Sequence, residues 1–279
     1  EPIDHILLAG PPGLGKTSIA AIIAEEMKSK LHATNAPAIE KPNDLSNILV
    51  NVGKDDVLFI DEMHRLPRPV EEILHTAMED FYIDVMIGKG KSARSCRIEL
   101  PRFILVGATT RIGLISGPVR DRFGFTAKLD YYDADDLAKI ICRSANILSL
   151  DLDASAASEI ARRSRGTPRI ANRLLKRVRD YAEVHAKGEV INVEISRLAL
   201  DMFEIDELGL DKTDRLILSI LCRFACPVGL NTIAALTGES ADTIEGAYEP
   251  YLLRAGLIKR TSQGRVATLE TYKHLKGKL

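Results

Sequence analysis

The sequence has little that would commit it to a special environment. Only four of its 279 residues are cysteine and its formal net charge is -1. No apolar run reaches the roughly 18 residues a membrane span needs. No charged-then-apolar leader precedes a cleavage site, so the cytoplasm is the expected compartment. The small net charge excludes a global attraction to nucleic acid or acidic lipid; a polyanion would have to be met by local clusters of lysine and arginine. Cys96, Cys142, Cys222 and Cys226 show no metal or redox spacing and read as reduced, partly buried thiols, with Cys222 and Cys226 four apart on one expected helix face. With 46% apolar residues, the chain can bury a substantial core across two or three domains.

Apolar strand-like runs alternate with amphipathic helices in the first half. "HILLAG" precedes a helix "KTSIAAIIAEEMK" with Ile19, Ile22, Ile23 and Met27 at helical spacing, and "DVLFIDE" precedes "PVEEILHTAMED" with Val70, Ile73, Leu74, Ala77 and Met78 likewise. A third strand, "FILVGATT", follows. The pattern predicts an α/β domain over residues 1–131, a mostly parallel sheet with helices on both faces. It is interrupted by a projecting β-hairpin at about 82–100. Residues 132–203 read as a small all-helical domain in which Asp133 and Asp153 cap helices and a long helix follows "GTPR". Residues 204–279 hold three helices and a terminal two-stranded ribbon, the pattern of a winged helix.

The chemistry concentrates in the first domain. Gly10, Gly15, Lys16 and Thr17 complete a P-loop between strand and helix. Its glycines let backbone N–H groups surround a phosphate, Lys16 bridges phosphates, and the Thr17 hydroxyl suits Mg²⁺. Asp61 and Glu62 end the apolar strand "VLFI", where Asp61 would meet the metal through water and Glu62 would polarise an attacking water; acidic residues also commonly end strands. Thr110 closes the neighbouring strand, either to orient that water or simply as a β-favouring residue. Arg120 and Arg122 precede the final strand. Arg169 sits in the first turn of a helix, where a cation is unfavourable unless an anionic partner compensates; surface ion pairing competes for all three.

These residues, in this order, resemble the AAA+ ATPase family. "GPPGLGKT", "LFIDEMHRL", "AMEDF", "IGKGKSARS", "GATTR", "RDRFG", "RGTPRIANRLLKRVRDYA" and "YEPYLLRAGLIKRTSQGRVAT" are similar to the bacterial branch-migration motors of Holliday junctions over essentially the whole chain. The resemblance implies that Gly13, Gly15, Lys16, Thr17 and Ser18 bind ATP and Mg²⁺, and that Thr17 and Asp61 hold the metal with Glu62 beside them. It implies that Thr110 senses the γ-phosphate, that Arg122 is an arginine finger acting on the neighbouring subunit, and that Arg169 reaches the phosphates of its own subunit. Glu79, Asp80, Phe81 and Tyr132 match positions lining or bracing the nucleotide, though packing explains them equally well.

The same resemblance implies a homo-hexameric ring acting on double-stranded DNA and four-way junctions in recombination, repair and the SOS response. A junction-recognising partner protein would dock on the apolar hairpin residues Val85, Met86 and Ile87, and a junction resolvase would join the same complex. A hairpin folded back on its own domain is the competing reading. Arg260 and Arg265 match DNA-contacting positions. They belong to a basic stretch of Arg254, Lys259, Arg260, Arg265, Lys273, Lys276 and Lys278 against the single acid Glu270, whereas the preceding helix carries Asp242, Glu245 and Glu249. Such a wing favours backbone contact over base readout; a solvated tail is the alternative.

An origin-initiator or clamp-loader type ATP switch fits the same motifs, and a DNA-binding module with a vestigial nucleotide fold is the non-enzymatic alternative. The family also carries a segment ahead of the position of Glu1, so the sequence reads as part of a longer protein. Ser18, Asn35-Ala36 and the "PRP" at 67–69 depart from the family pattern without removing a catalytic group.

Overall fold

The computed structural model describes residues 3–87, 94–186, 188–224 and 226–275, with the side chains of Met86 and Ile87 excepted. Two compact units divide the chain, Glu1–Tyr131 and Tyr132–Leu279.

In the first unit the strands are β1 (Ile6–Ala9), β2 (Leu31–Asn35), β3 (Val57–Asp61), β4 (Tyr82–Ile87), β5 (Arg94–Glu99), β6 (Ile104–Thr109) and β7 (Phe125–Lys128). Five of them form a parallel sheet in the order β2-β3-β6-β1-β7, while β4 and β5 pair antiparallel as a separate hairpin. Side chains alternate between faces along a strand, and here each face has its own core. Leu7, Leu58, Ile60 and Leu105 pack with α2 (Pro42–Val50) and α3 (Arg68–Asp80), whereas Leu8, Phe59, Val106 and Ala108 pack with α1 (Lys16–Glu26). Burial on both faces is why these strands are continuous apolar runs.

Two details differ from the sequence reading. The polar segment "LHATN" forms edge strand β2, whose residues are mostly half-exposed and so carry no apolar signature. Helix α1 buries Ala20 and Ala24, with Ile19, Ile23 and Met27 only partly covered and Ile22 55% exposed; small residues let the helix lie close to the sheet. The hairpin tip, residues 88–93, lies outside the described residues, as do the side chains of Met86 and Ile87. At the hairpin base Ile83 is buried and Val85 packs on the domain core.

The second unit begins with α5 (Ala134–Ile147), α6 (Ala154–Arg162), α7 (Pro168–His185) and α8 (Val193–Met202), which follow the short α4 (Gly117–Asp121) of the first unit. Asp133 and Asp153 cap α5 and α6, accepting the N–H groups of Asp136 at 2.7 Å and Ala156 at 2.6 Å. Their apolar faces meet around Leu137, Ile141, Ile160, Leu174, Leu175 and Val178. A second core, around Leu218, Leu221, Ile233, Leu252 and Ile258, holds together α9 (Lys212–Arg223), α10 (Leu230–Thr237), a composite third helix and the ribbon β8 (Ile258–Thr261) and β9 (Gly264–Ala267). The third helix runs as α11 (Ala241–Thr243), a π turn (Ile244–Tyr248) and α12 (Glu249–Arg254); the wide turn lies just ahead of Pro250, which has no N–H to give the preceding turn. Helix α13 (Leu269–Leu275) extends the ribbon and was not legible from the basic composition of that stretch. Lys276 and Lys278 lie outside the described residues. Cys226 falls beyond the end of α9, so it shares no helix face with Cys222, and both Cys96 and Cys226 are exposed rather than partly buried. Among the described residues no helix is long and apolar enough to cross a membrane.

The two cores of this unit are joined through charge. Arg165, in a left-handed turn at φ 52, donates to the carbonyl of Gly209 at 2.7 Å and to the carboxylate of Asp214, and lies over the Tyr251 ring at 4.9 Å. Asp214 is fully buried and its Oδ1 has no hydrogen-bond partner among the described residues. Burial pushes its carboxyl up from the ordinary 3.8 to about 6; Arg165 opposes the shift and Asp211 adds to it. The folded chain therefore holds this proton more tightly than the unfolded one, and the stability Asp214 contributes falls as pH rises from about 4 to about 6. Urea melts across that window should show a flatter stability slope for Asp214→Asn than for the parent. Arg165→Ala, which leaves the buried carboxylate uncompensated, should cost about 3–5 kcal/mol at neutral pH.

Candidate nucleotide site and basic wing

The C-terminal ends of parallel strands share one edge of the sheet, and the candidate residues collect there. Ala9 is level with Thr109, and Gly10 N–H donates to Thr109 O at 3.0 Å as β1 turns into the loop. Gly13 and Gly15 are left-handed, at φ 83 and 91, which glycine adopts without a steric penalty. At Gly10 the requirement is space, since a Cβ would lie 2.5 Å from the carbonyl oxygen of Leu129. The loop leads into α1, whose first turn presents unpaired N–H groups and the positive end of the helix dipole. Lys16 is buried and its Nζ donates to the carbonyls of Gly10 and Pro11 at 2.9 and 2.8 Å, while Thr17 and Ser18 are exposed on the same turn. An ammonium held by neutral carbonyls at the mouth of such a turn is set to exchange them for phosphate oxygens, which are stronger acceptors.

On the next strands, Asp61 ends β3 level with Asn35 of β2, and its Oδ1 accepts the Glu62 N–H at 2.8 Å. Glu62 is left-handed at φ 52, a strained conformation for a non-glycine residue, and its carboxylate pairs with Arg65 at 3.0 Å on a half-exposed surface. Thr110 is the first residue beyond β6 and is exposed, whereas Thr109 is fully buried. The Thr109 hydroxyl meets His64 Nδ1 at 3.1 Å and accepts the Arg111 N–H at 3.0 Å. Burial holds the His64 ring below the usual imidazole range, reinforced by Arg111 and Arg65 and opposed by Glu62. A hydroxyl at Thr17 and a carboxylate at Asp61 are the hard oxygen donors that Mg²⁺ takes, with phosphate and water completing its shell.

Arg122, Glu79, Asp80 and Phe81 do not join this edge. β7 starts level with Ile6, the beginning of β1, so Arg122 stands at the opposite edge from the P-loop, about 10 Å away along a strand of this length. There Arg122 pairs with Glu79 at 2.5 Å and donates to His75 at 3.2 Å. Phe81 packs edge-on against Phe103 and near His5, whose Nε2 faces the carbonyl of Met78 at 3.2 Å. His75 was not among the candidates, although its spacing of four from Glu79 on α3 is a signal that could have found it.

In the second unit, Arg169 is exposed in the first turn of α7 with no ion-pair partner among the described residues, and Tyr132 packs on the helical core with its N–H donating to Gly166 O at 3.0 Å. Arg260 and Arg265 converge on one carboxylate. Each places Nε and Nη2 on Glu249 at 2.9–3.0 Å, and Arg260 also reaches Glu245 at 3.0 Å. Glu249 is 1% exposed, Arg265 14% and Arg260 48%. Burial alone would raise the Glu249 carboxyl, but the two guanidiniums outweigh it and hold it below the ordinary glutamate range. Glu249, one of the three acids of the helix that precedes the wing, is thus the wing's internal counter-ion.

Comparison with known proteins covers nearly every residue. The family model described as the Holliday junction DNA helicase RuvB P-loop domain matches residues 1–129, the RuvB AAA lid domain 132–206, and the RuvB C-terminal winged helix domain 207–276. The Holliday junction branch migration complex subunit RuvB of Mycolicibacterium gilvum is 57% identical over 274 residues, 98% of this chain and 76% of that protein. Its counterpart in Corynebacterium aurimucosum is 56% identical over the same shares. The solved structure of the Thermotoga maritima RuvB Holliday junction branch migration motor superposes with a TM-score of 0.86 at 48% identity, covering 99% of this chain and 88% of that one. With the P-loop, the helical lid and the winged helix each matched in sequence and in fold, the chain belongs to the RuvB family of AAA+ P-loop motors.

Proposed function

We propose that this chain is an ATP-hydrolysing DNA motor that drives branch migration of Holliday junctions in recombination and repair. It would act in the cytoplasm as a homo-hexameric ring, with three parts: the ATPase domain of residues 1–131, the helical lid of 132–203 and the DNA-binding head of 204–279. The observation that carries the reading is the gathering of Lys16, Thr17, Asp61, Glu62 and Thr110 at one sheet edge while Arg122 stands at the other. Gly13, Gly15, Lys16, Thr17 and Ser18 bind the phosphates of ATP. Thr17 and Asp61 hold Mg²⁺, which when bound spreads the negative charge developing on the transferred phosphoryl group. Glu62 takes the proton of the attacking water, and Thr110 orients that water toward the γ-phosphate.

One chain offers its P-loop edge and its neighbour the Arg122 edge, so each site needs two copies. Glu79, Asp80 and Phe81 share the edge of Arg122 and belong to the side a neighbour presents. Arg169, a cation with no ion-pair partner among the described residues, supplies charge to the phosphates from the lid, and Tyr132 braces the start of that domain. The hairpin docks a junction-recognising protein through Met86, Ile87 and the part of Val85 that the domain core leaves uncovered, and a resolvase works in the same assembly.

For DNA, the head offers the wing. Arg260 is the outer guanidinium and contacts the phosphate backbone; Arg265 lies behind it and holds the shared Glu249 in place. Strand displacement on a synthetic four-way junction, with ATP, Mg²⁺ and a junction-recognising protein present, tests the function: no displacement by an assembly that turns ATP over would overturn it. In an equilibrium DNA-binding titration across salt concentrations, Arg260→Ala should lower the salt slope by about one unit at every sequence. Both Arg260→Ala and Arg265→Ala should also destabilise the head, because each strips a buried carboxylate of half its compensation, and Arg265→Ala the more, since its guanidinium is the less exposed.

A further inference from the structure

Thr109 and His64 carry none of the roles above, yet three segments of the nucleotide edge meet at Thr109. Its carbonyl accepts Gly10 N–H from the P-loop at 3.0 Å, its hydroxyl meets His64 Nδ1 of the Glu62 turn at 3.1 Å, and the same oxygen accepts Arg111 N–H from the loop that carries Thr110 at 3.0 Å. Only the carbonyl bond continues the pairing of β1 with β6. Valine at this fully buried position would keep the strand, the volume and the carbonyl, so the hydroxyl is there for the two side links.

The turn that carries Glu62 needs such a link. Glu62 itself is left-handed, a conformation that persists only where its surroundings hold it. The turn Met63–Arg65 is pressed onto β6 at Met63: a Cβ at Gly107 would lie 2.1 Å from Met63 Sδ, so the glycine is what lets the turn lie this close. Met63 fixes the turn's height above the strand but not its rotation. His64, the next residue, bonds it to the last residue of β6, one position before Thr110. Glu62 and Thr110 therefore hang from a common anchor.

We propose that the Thr109 hydroxyl and His64 form a positioning clamp that fixes the Glu62 turn to the Thr110 loop, so that the group taking the water's proton and the group orienting that water keep one geometry. Both are positioning residues, since neither touches substrate. The clamp rests on the hydrolytic reading above and deepens it.

The test uses the full chain with duplex DNA and compares Thr109→Val, Thr109→Ser, His64→Ala and the double variant Thr109→Val/His64→Ala. Steady-state turnover gives kcat and KM for ATP, and an equilibrium titration with a fluorescent ADP analogue reports the P-loop independently of chemistry. A misplacement of about 1 Å costs on the order of 100-fold in rate. Thr109→Val should therefore lose roughly 10- to 100-fold in kcat, with KM and ADP affinity within about twofold of the parent. Thr109→Ser, which keeps the hydroxyl, should recover most of that loss. His64→Ala should match Thr109→Val, and the double variant should be no slower than the slower single, because both break one link. The clamp is overturned by an active parent whose Thr109→Val variant is equally fast, by a Ser variant as slow as Val, by losses that multiply in the double variant, or by ADP affinity falling in step with kcat. A parent that binds ADP but never turns ATP over overturns the hydrolytic reading and the clamp's role with it.

Discussion

Glu62→Gln should reduce ATP turnover by about 10²- to 10⁴-fold while leaving nucleotide binding intact, as measured by steady-state hydrolysis beside an equilibrium titration with a nucleotide analogue. The expectation follows from where the carboxylate stands. β3 is buried along Val57–Ile60 and emerges at Asp61, so the strand delivers two acids in succession to the edge where the P-loop opens. The first is tied down, its Oδ1 accepting the following N–H at 2.8 Å. The second pairs, among the described residues, with a half-exposed Arg65, an interaction worth about 0–1 kcal/mol that gives way to a water partner at little cost. Glutamine keeps the shape and the local hydrogen bonding but cannot accept a proton. Lys16→Ala is the contrasting variant: it removes the ammonium that bridges the loop, so binding should be lost as well as turnover. Equal turnover in Glu62→Gln and the parent would remove the proposed base from the mechanism.

A comparable loss is expected at the other edge of the sheet. Arg122→Ala should lower turnover by about 10³- to 10⁵-fold, the range an arginine supplied in trans can provide. Within its own chain Arg122 faces Glu79 and His75, not Lys16, and the register of β7 against β1 keeps it there. Mixing separates the possibilities. Arg122→Ala subunits keep an intact P-loop, and Lys16→Ala subunits keep an intact arginine, so a mixture contains junctions where both are present. Turnover should reappear on titrating one inactive variant into the other. If no ratio restores any turnover, or if the unassembled chain is fully active alone, the shared site is wrong.

The Glu79 contact modulates this picture. A guanidinium already paired on its own surface must leave that partner to serve a neighbour, and His75 and Glu79 are what it leaves. Loss of those contacts is small, because all three groups are part-exposed and screened.

Much of the fold and of the nucleotide edge was legible because their constraints are local. A left-handed loop needs glycine at 13 and 15, a strand buried on both faces needs an unbroken apolar run before Asp61, and a helix start needs Asp133 or Asp153; each demand is met within a few residues of chain. The polar edge strand β2 escaped notice for the same reason in reverse, since its pairing with β3 is set by a neighbour distant in sequence and leaves no periodic trace. Alternation along "GATT" did contain the inward Thr109 and the outward Thr110, but which of them faces in depends on the sheet.

Composition and spacing by themselves determined the α/β class, the phosphate-binding loop, the acidic pair and the order of the three folded parts, because those follow from short-range sterics and the period of apolar residues. The tertiary structure alone decided which of these polar groups meet. It sent Arg122 to Glu79, Arg165 to Asp214, both wing arginines to Glu249 and Thr109 to His64. Pairings of this kind join residues from 11 to 49 positions apart. The energy of a buried contact depends on distance and solvent exclusion, which no stretch of sequence encodes until the chain has folded.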